Sequence, residues 1–422
     1  MSSNLIVGQS GGPTAVINSS LYGILKQAKF YQHSLDKKID KILGTEYGIE
    51  GFLQEKIIDL GSLLDNRKLE RLLFTPGSYL GSCRYMLPND LDDPIYKKLF
   101  NNFKKYNIEY FVYCGGNDSM DTVSKISRYA KKIGFNIKVI GVPKTIDNDL
   151  VLTDHTPGFG SAAKFVAHTV REIITDALSY EIPSVTIVEI MGRHAGWLTG
   201  ASTLAKLDHT DEAMSPDFIY LPEVNFDLNE FCESIKERMK YKNNVVVCVS
   251  EGIHDKNNKL ICEYESETWL DNFGHKMLSG TAKFLEKHLK KTLGVKVRSV
   301  ELNVAQRCSS TLISKTDRDE AIIAGEFAVD SVINEDSGYM VAFVRENSKF
   351  KNYKITAKLE DVDNICNKEK MVPLNMINST KTGMTQDYID YILPLIQGNI
   401  EIEYDKFDLP WFANRKLDKQ KC

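Results

Sequence analysis

The chain has 422 residues, of which 42% are hydrophobic and 26% are charged, and its formal net charge at pH 7 is −4. This composition is typical of a globular protein of two domains, and the acidic balance argues against a nucleic-acid binder, which normally presents a basic face. No run approaches the roughly 18 apolar residues of a membrane span, and we expect no secretory leader. The eight cysteines are scattered without a CxxC pair, which favours reduced thiols in a cytoplasmic protein.

The first predicted unit is a strand at Asn4–Val7, a glycine-rich loop at Gly8–Gly12, and a helix with apolar residues at helical spacing. Such a loop directs backbone N–H groups and the positive end of the helix toward one point, which favours phosphate. Glycine turns also serve packing alone, so both interpretations stay open here. The chain contains no GxxxxGK[ST] sequence, so the loop is not a Walker A loop.

A second unit of the same kind has its strand at Glu109–Cys114 and its loop at Gly115–Met120. This loop carries Asp118, which either lies near a phosphate through a magnesium ion, repels a competing anion, or caps the following helix. Between the two units, the small-residue loop Gly77–Arg84 ends in an arginine. That arginine is either solvated or a clamp on a phosphate.

The apolar run Ile137–Val142 predicts a buried parallel strand, and the sequence PKTIDND follows it directly. Lys144, Asp147 and Asp149 therefore lie at the carboxyl end of a strand, where ligands bind in open α/β sheets. A polar turn that caps the next helix is the alternative. The later pattern GFGSAA imitates a dinucleotide fingerprint, but it follows a polar segment instead of a strand, so we reject a nicotinamide-dependent oxidoreductase.

Two further predicted strands deliver polar residues at their carboxyl ends. Val185–Ile190 leads into MGRHAG, where Arg193 can pair with a phosphate and His194 is interpreted as a packed loop histidine. Val245–Val249 leads into SEG, where Glu251 can accept protons from sugar hydroxyls. Downstream we predict a helix at 277–289, a strand at 295–304, a helix at 316–333 and a strand at 339–344. Residues 368–422 contain no chemistry that we can identify.

Five predicted strand ends thus carry glycines with a cation or a carboxylate. One such loop is commonplace, but five in one α/β chain indicate a cleft for phosphates. Phosphoryl transfer needs cations on the transferred group and a carboxylate that takes the proton of the acceptor. The sequence supplies both kinds of residue.

The motifs GQSGGPTAVIN, GSYLGSCR, GGNDS, PKTIDND, MGR and SEG, followed by Arg298 and the pair Gln306-Arg307, resemble the phosphofructokinase family in order and spacing. The resemblance extends from Ile6 to about Val344. The combination of PKTIDND with MGRHAGW is highly specific.

The resemblance implies two similar three-layer α/β domains with mainly parallel sheets and an active site in the cleft between them. It places the phosphoryl-donor domain at residues 1–140 and about 307–357, and the sugar-phosphate domain at residues 141–306. Residues from about 358 to 422 are expected to pack on the second domain as an extension. A cytoplasmic homodimer or homotetramer with shared active sites and a Mg²⁺ cofactor is also implied.

The resemblance assigns roles residue by residue. Asp147 is the expected general base, and the other expected catalytic residues are Lys144, Asp118, Thr145 and Asp149. The expected donor-binding residues are Gly11, Gly12, Arg84, Gly116 and Ser119. Fructose 6-phosphate is expected to contact Thr145, Ile146, Asp147, Met191, Gly192, Arg193, Glu251, Arg298, Gln306 and Arg307. Arg298 is expected to reach in from a neighbouring subunit, and the expected metal ligands are Asn117 and Asp149.

Two positions decide the expected phosphoryl donor. Members of the family that use ATP carry glycine where this chain has Asp118 and Lys144. An aspartate there opposes the α-phosphate of ATP, and bringing such like charges together costs several kcal/mol, on the order of a thousandfold in affinity. The lysine adds a cation that compensates a donor without a nucleotide. The resemblance is therefore to the branch that uses pyrophosphate in glycolysis and gluconeogenesis. An ATP-dependent kinase and a non-catalytic regulatory subunit are the alternatives.

The chain departs from the family pattern at two positions. Asn117 stands where nucleotide-dependent members carry a metal-binding aspartate, so the metal would depend more on pyrophosphate. Ser184 stands where those relatives carry an arginine that reaches the sugar phosphate of a neighbour. This second departure puts the subunit arrangement and the complete 6-phosphate pocket in question.

Overall fold

The computed structural model describes residues 3–36, 38–63, 65–206, 215–264, 280–334, 336–347 and 352–416. Its strands are β1 (Ser3–Gln9), β2 (Ile39–Thr45), β3 (Ile57–Asp59), β4 (Ile108–Gly115), β5 (Lys138–Pro143), β6 (Ser184–Ile190), β7 (Phe218–Tyr220), β8 (Asn244–Ser250), β9 (Lys296–Glu301), β10 (Tyr339–Asn347) and β11 (Lys354–Asp361). Its α-helices are α1 (Ile17–His33), α2 (Gly48–Leu53), α3 (Leu60–Leu63), α4 (Asn66–Arg71), α5 (Pro94–Lys105), α6 (Asn117–Ile133), α7 (Phe159–Ala177), α8 (Trp197–Gly200), α9 (Leu228–Arg238), α10 (Thr281–Leu293), α11 (Lys315–Ile333) and α12 (Gln386–Ile392). The first residues of the helix predicted at 277–289 lie outside the described ranges.

The first sheet has the strand order β11-β10-β5-β4-β1-β2-β3. Its inner strands run parallel, and β3 and β11 pair antiparallel at the two edges. Leu5 and Val7 pack under α1 and α11, whereas Ile6 faces the opposite side, toward α5 and α6. Burial on both faces explains why β1, β4 and β5 have nearly continuous apolar sequences.

The second sheet has the order β7-β8-β6-β9, and all of its pairs are parallel. One face packs on α7 through residues such as Val188, and the other packs on α9 and α10 through residues such as Ile187. Two helix-covered, mainly parallel sheets confirm the predicted α/β fold class. Within the described residues, none of the helices is both long and apolar enough to cross a membrane.

Two strands of the first sheet extend across the boundaries expected between the domains. Residues 140 and 141 both lie inside β5, so the whole of that strand belongs to the first sheet. Residues 357 and 358 both lie inside β11, which completes the same sheet. The C-terminal region contacts both parts of the molecule, because Tyr388 is buried with the core of the second sheet while the Ala413 N–H donates to Thr75 beside the first.

The helix α11 returns to the first sheet and crosses α1 at a very short distance. A Cβ atom on Gly23 would lie 2.2 Å from the carbonyl oxygen of Ile322, and one on Gly325 would lie 2.2 Å from that of Ser20. Two facing glycines therefore permit the close approach of the helix backbones.

Candidate active site

The carboxyl ends of β1, β4 and β5 lie side by side, since Gln9 pairs with Cys114 and Gly115 pairs with Pro143. This edge brings together the two glycine loops and the segment after β5. In the second sheet the carboxyl ends of β6 and β8 likewise lie side by side, since Ile190 pairs with Ser250. The five loops that the sequence singled out therefore follow strand ends at two sheet edges.

Lys144 joins the loops of the first sheet. Its backbone N–H donates to the Gly115 carbonyl at 3.0 Å, and its Nζ donates to the Gly12 carbonyl at 2.6 Å. A Cβ on Gly11, which has φ +76°, would lie 3.1 Å from that Nζ. Burial lowers the pKa of Lys144 to about 8, while Asp147 and Asp149 act in the opposite direction. The ammonium is thus hydrogen-bonded to the first glycine loop and near enough to the two carboxylates for their charges to act on its pKa.

Two arginines add positive charge beside Lys144. A Cβ on Gly12 would lie 3.1 Å from a terminal nitrogen of Arg307, which ends the turn after β9. Arg84 and Arg307 both lie close enough to lower the pKa of Lys144. The Gly11 N–H donates to the Cys83 carbonyl at 3.2 Å, so the loop that carries Arg84 rests on the first glycine loop. Three cations therefore surround one small volume.

The loop after β4 passes into α6 at Gly116, which is its N-terminal capping position. Asp118 lies in the first helical turn and is half-buried. Ser119 is 3% exposed and packs so closely on Gly115 that a Cβ there would lie 1.9 Å from its Oγ. Asp118 is thus a negative charge at the rim of this loop, and Ser119 is part of its packing.

Asn117 makes different contacts from those expected of a metal ligand. Its Oδ1 accepts from the N–H of Asn367 at 2.6 Å, and its Nδ2 donates to the carbonyl of Lys368 at 2.7 Å. Both ends of the amide are therefore paired with the C-terminal segment. Among the described residues, no group of three or more histidine, cysteine or acidic side chains could hold a metal ion.

Two hydrogen bonds with Thr145 orient the side chain of Asp147. Its N–H donates to Thr145 Oγ1 at 3.0 Å, and that hydroxyl donates to Asp147 Oδ2 at 3.2 Å. Burial raises the pKa of Asp147, against the opposing effects of Thr145, Lys144 and Arg193. Burial and the nearby Asp147 also raise the pKa of Asp149, to about 7. Two carboxylates that resist ionising together share this turn.

Between them, Asn148 is fully buried and has a left-handed backbone with φ +55°. Its Nδ2 donates to the Tyr391 hydroxyl at 2.8 Å, and its Oδ1 accepts from the Thr156 N–H at 3.2 Å and from Lys370 Nζ at 3.3 Å. Asparagine tolerates this backbone conformation better than most residues. Residues 368–422, in which the sequence showed no identifiable chemistry, therefore contribute Lys370 and Tyr391 to the support of this turn.

On the second sheet, the loop after β6 is bound by residues from other loops. The Met191 N–H donates to Gln306 Oε1 at 3.2 Å, and the Gly192 N–H donates to Glu251 Oε1 at 3.3 Å. Burial and Asp147 raise the pKa of Glu251 to about 7. Arg193 Nε is buried and has no hydrogen-bond partner within the described part of the chain. A buried, unpaired guanidinium nitrogen is suited to an incoming anion.

The structure shows the surroundings of two more residues that the sequence singled out, Ile146 and His194. Ile146 is 6% exposed and belongs to the hydrophobic core with Phe159, so its side chain is not in the cleft. His194 is half-exposed and pairs with Glu369 at 2.8 Å, so the interpretation of a packed loop histidine is wrong. Glu369 was missed because it lies in the C-terminal region, far from any strand end.

Arg298 lies apart from this cluster within the single chain. It is the third residue of β9, pairs in register with Thr186, and forms an ion pair with Asp176 at 3.1 Å. Its side chain is about half-exposed in a groove against α7. Ser184 lies at the amino end of β6, where its hydroxyl donates to Asn244 at 2.7 Å. The contacts of these two residues are thus with Asp176 and Asn244, and not with the turn at residues 145–149.

Comparison with known proteins agrees with this arrangement of loops. The family profile described as Phosphofructokinase matches residues 4–332. The chain belongs to the phosphofructokinase family. Among curated phosphofructokinase relatives, it is 37% identical over 416 residues to a pyrophosphate--fructose 6-phosphate 1-phosphotransferase of Xanthomonas campestris, with 98% of this chain and 96% of the relative covered.

Two further matches extend the comparison. A crystal structure of a pyrophosphate-dependent phosphofructokinase from Marinobacter aquaeolei matches with a TM-score of 0.85 and 34% identity, covering 98% of this chain and 96% of that one. A sulfofructose kinase of Alkalicoccus urumqiensis is 35% identical over 350 residues, covering 82% of this chain and 84% of the relative. The family resemblance inferred from the motifs is confirmed.

Proposed function

We propose that this chain reversibly transfers a phosphoryl group from pyrophosphate to the 1-hydroxyl of fructose 6-phosphate, giving fructose 1,6-bisphosphate and phosphate. The observation that carries this proposal is the position of Lys144, whose ammonium lies between the first glycine loop and the carboxylates of Asp147 and Asp149. A cation at that point meets the transferred group where the acceptor is deprotonated. The names of the similar proteins support the same reaction.

The proposed chemistry assigns Asp147 as the general base. Its carboxylate takes the proton of the 1-hydroxyl while that oxygen forms a bond to phosphorus and the bridging P–O bond of pyrophosphate breaks. Burial raises the pKa of Asp147, which makes it a stronger base than an exposed aspartate. Lys144, Arg84 and Arg307 stabilise the charge on the transferred group and on the departing phosphate.

The proposed donor is pyrophosphate instead of ATP because of Asp118. The carboxylate lies in the first turn of α6, two residues after Gly116, where a Cβ would lie 3.5 Å from the Lys144 carbonyl oxygen. An α-phosphate bound there would meet a like charge in a partly dry cleft. Pyrophosphate has no third phosphate, so it avoids that repulsion and keeps the benefit of Lys144.

The proposed sugar-phosphate site uses the loops of the second sheet. Glu251 accepts from a sugar hydroxyl, and the unpaired Nε of Arg193 donates to the substrate, as Arg307 does to a phosphate. Within one chain Arg298 pairs with Asp176 and not with the turn that contains Asp147. We therefore propose that it completes the site of a neighbouring subunit in a homodimer or homotetramer.

The described residues fit a magnesium ion held mainly by the substrate. Asp147 raises the pKa of Asp149, and a divalent cation beside the two carboxylates would relieve that repulsion. Asp149, together with the oxygens of pyrophosphate, would hold the ion, while the Asn117 amide is already paired. When bound, Mg²⁺ would neutralise charge on the phosphates.

The proposal is tested by assaying the purified chain with fructose 6-phosphate and either pyrophosphate or ATP at matched free Mg²⁺. We expect product formation with pyrophosphate and at least about a hundredfold lower kcat/KM with ATP. A preference for ATP would establish the ATP-dependent alternative. Binding of fructose 6-phosphate without turnover on either donor would indicate a non-catalytic subunit, and faster turnover of sulfofructose would overturn the sugar assignment.

A further inference from the structure

Four residues of the C-terminal region, Asn367–Lys370, form a segment that we call the strap. The strap begins at α6, where the side-chain amide of Asn117 pairs with the N–H of Asn367 and the carbonyl of Lys368. Its third residue, Glu369, forms an ion pair with His194 in the loop after β6. Its fourth residue reaches the segment after β5. Four consecutive residues therefore contact the loops of three different strands.

Lys370 makes the most contacts of the four residues. Its backbone N–H donates to the carbonyl of Asp149 at 2.7 Å, and its own carbonyl accepts from Trp197 Nε1 at 2.8 Å. Its Nζ donates to the carbonyls of Asp154 at 2.8 Å and Thr153 at 3.2 Å. The same ammonium reaches Asn148 Oδ1 at 3.3 Å. Lys370 therefore hydrogen-bonds to both ends of the segment 148–154, which includes the end of the turn at Asp147–Asp149 and the loop that follows it.

The turn that Lys370 holds contains a residue with a left-handed backbone. Asn148 has φ +55°, and its conformation sets the directions of Asp147 and Asp149 on either side. Both ends of the Asn148 side-chain amide are held by hydrogen bonds, which fix the residue in this conformation. Those contacts come from Lys370, Tyr391 and Thr156, two of which belong to the C-terminal region.

If Lys370 only filled space beside the turn, any side chain of similar size could replace it. A buried ammonium is costly to desolvate, and a neutral donor would satisfy one carbonyl at lower cost. Lysine supplies three donors from one atom, and here three oxygens on the turn and its loop take them. This arrangement fixes the relative positions of those three oxygens.

We infer that Lys370 is a positioning residue for the turn Asp147–Asp149, and that the strap couples the loop of Asn117 to that turn. The inference rests on the proposed function, since it assigns Lys370 to the alignment of the proposed general base. Lys370 does not contact the reacting atoms. It keeps Asp147 within reach of the acceptor hydroxyl, where a misplacement of about 1 Å can cost about a hundredfold in rate.

The first test compares Lys370→Met with Lys368→Met. Both changes remove one strap ammonium, but Lys368 is exposed and its Nζ donates to the nearby carbonyl of Asn364, away from the turn that contains Asn148. We expect Lys370→Met to lower kcat with pyrophosphate by about 10- to 100-fold, with KM for fructose 6-phosphate changed less than about threefold. Lys368→Met should remain within about twofold of the wild type. Equal losses in the two variants, or a loss confined to KM, would overturn the inference.

The second test places Lys370→Met in an Asp147→Ala background. If Lys370 acts by positioning Asp147, it has nothing left to position there, so the second change should lower the residual kcat less than about threefold. A further loss as large as that in the wild-type background would overturn the inference and show that Lys370 acts on another group.

The third test does not depend on activity. Hydrogen–deuterium exchange of the intact chain, followed in a peptide that covers residues 145–156, should rise at least about tenfold in Lys370→Met and stay unchanged in Lys368→Met. Asn117→Leu, which frees the start of the strap, should raise the exchange of the same peptide. Unchanged exchange in both Lys370→Met and Asn117→Leu would overturn the inference. An inactive wild type that shows the expected exchange pattern would refute the proposed function alone.

Discussion

The Nζ of Lys144 donates to the carbonyl oxygen of Gly12 at 2.6 Å. The contact joins the segment after β5 to the loop after β1 and holds the ammonium in place before any substrate binds. Because Lys144 is only 4% exposed, its charge acts in a poorly screened environment. An aligned cation of this kind requires little reorganisation when charge develops on the transferred group.

Replacing this cation tests its role directly. We expect Lys144→Met to lower kcat with pyrophosphate, which corresponds to a rise of about 2–4 kcal/mol in activation free energy. The KM for fructose 6-phosphate should change much less. Lys138→Met, at the other end of β5, is a matched control that should retain activity. Steady-state kinetics of the two variants provide the measurement. Wild-type kcat in Lys144→Met would remove this lysine from the mechanism.

Asp147 is expected to contribute mainly to the chemical step. Asp147→Ala should lower kcat by at least about a hundredfold, the usual contribution of a general base, while binding of fructose 6-phosphate by calorimetry changes little. Thr145, which hydrogen-bonds to Asp147, is expected to show a smaller effect when replaced by valine. A variant of Asp147 that keeps half of the activity would exclude it as the base.

Donor selection is expected to change when Asp118 is shortened. Asp118→Gly removes the negative charge opposed to an α-phosphate, so weak turnover with ATP should become measurable. The double variant Asp118→Gly, Lys144→Gly should shift the ratio of kcat/KM values furthest toward ATP, and the two effects need not add because both residues act on one ligand. If Asp118→Gly only lowers the activity with pyrophosphate, other groups exclude the nucleotide and Asp118 has a different role.

The position of Arg298 leads to a subunit-mixing experiment. Arg298→Ala and Asp147→Ala chains should each be nearly inactive as pure oligomers, because every site would lack one of the two residues. Mixed oligomers would contain some sites with both, so partial activity should return. The measurement is activity after unfolding and refolding the two variants together, with hybrids verified by mass. No recovery in verified hybrids, or a fully active monomer, would contradict the shared site.

His155 is expected to make stability depend on pH. It is 1% exposed between Asp154 at 2.9 Å and Glu320 at 2.7 Å. Burial alone lowers the pKa of His155, but Glu320 and Asp154 outweigh it and raise the pKa from 6.5 to about 9. The imidazolium therefore stabilises the fold fully below pH 6.5, and this contribution is lost as the pH rises through 9.

In urea unfolding, the difference in free energy of unfolding between wild type and His155→Gln should be larger at pH 6 than at pH 9.5, by up to about 3 kcal/mol. The exposed His33→Gln controls for the loss of an imidazole. The cation Arg345 and the phenol Tyr353, which donate to Asp154 and Glu320, are kept in both proteins. A difference that does not vary with pH would show that His155 is neutral in the fold.

The sequence predicted most of the strands that are buried on both faces, although β2, which is also buried on both faces, was missed. The strand expected at 109–114 is β4 (Ile108–Gly115), because its uninterrupted apolar run reports burial directly. The three-residue strands β3 and β7 are too short to leave a pattern, and β11 alternates on an exposed edge. Each of these strands lies at an edge of its sheet and pairs with a single neighbour, so its sequence carries little sign of burial.

The same distinction separates the parts of the site. Lys144 and Asp147 follow a recognisable strand end, so their place in the site could be inferred from local sequence. Lys370 and Tyr391 follow no strand end, and their contacts with Asn148 cross more than 200 residues. Asn117 was interpreted as a metal ligand because nothing local shows that Asn367 and Lys368 occupy its amide.

The close crossing of α1 and α11 has a consequence for synthesis on the ribosome. Gly23 emerges about 300 residues before Gly325, and the helices of these two glycines pack together. The first sheet is likewise incomplete until β10 and β11 have been synthesised. All four strands of the second sheet lie between residues 184 and 301, so they emerge earlier. The apolar face of α1 therefore stays exposed on the nascent chain, available to a chaperone, until translation is nearly complete.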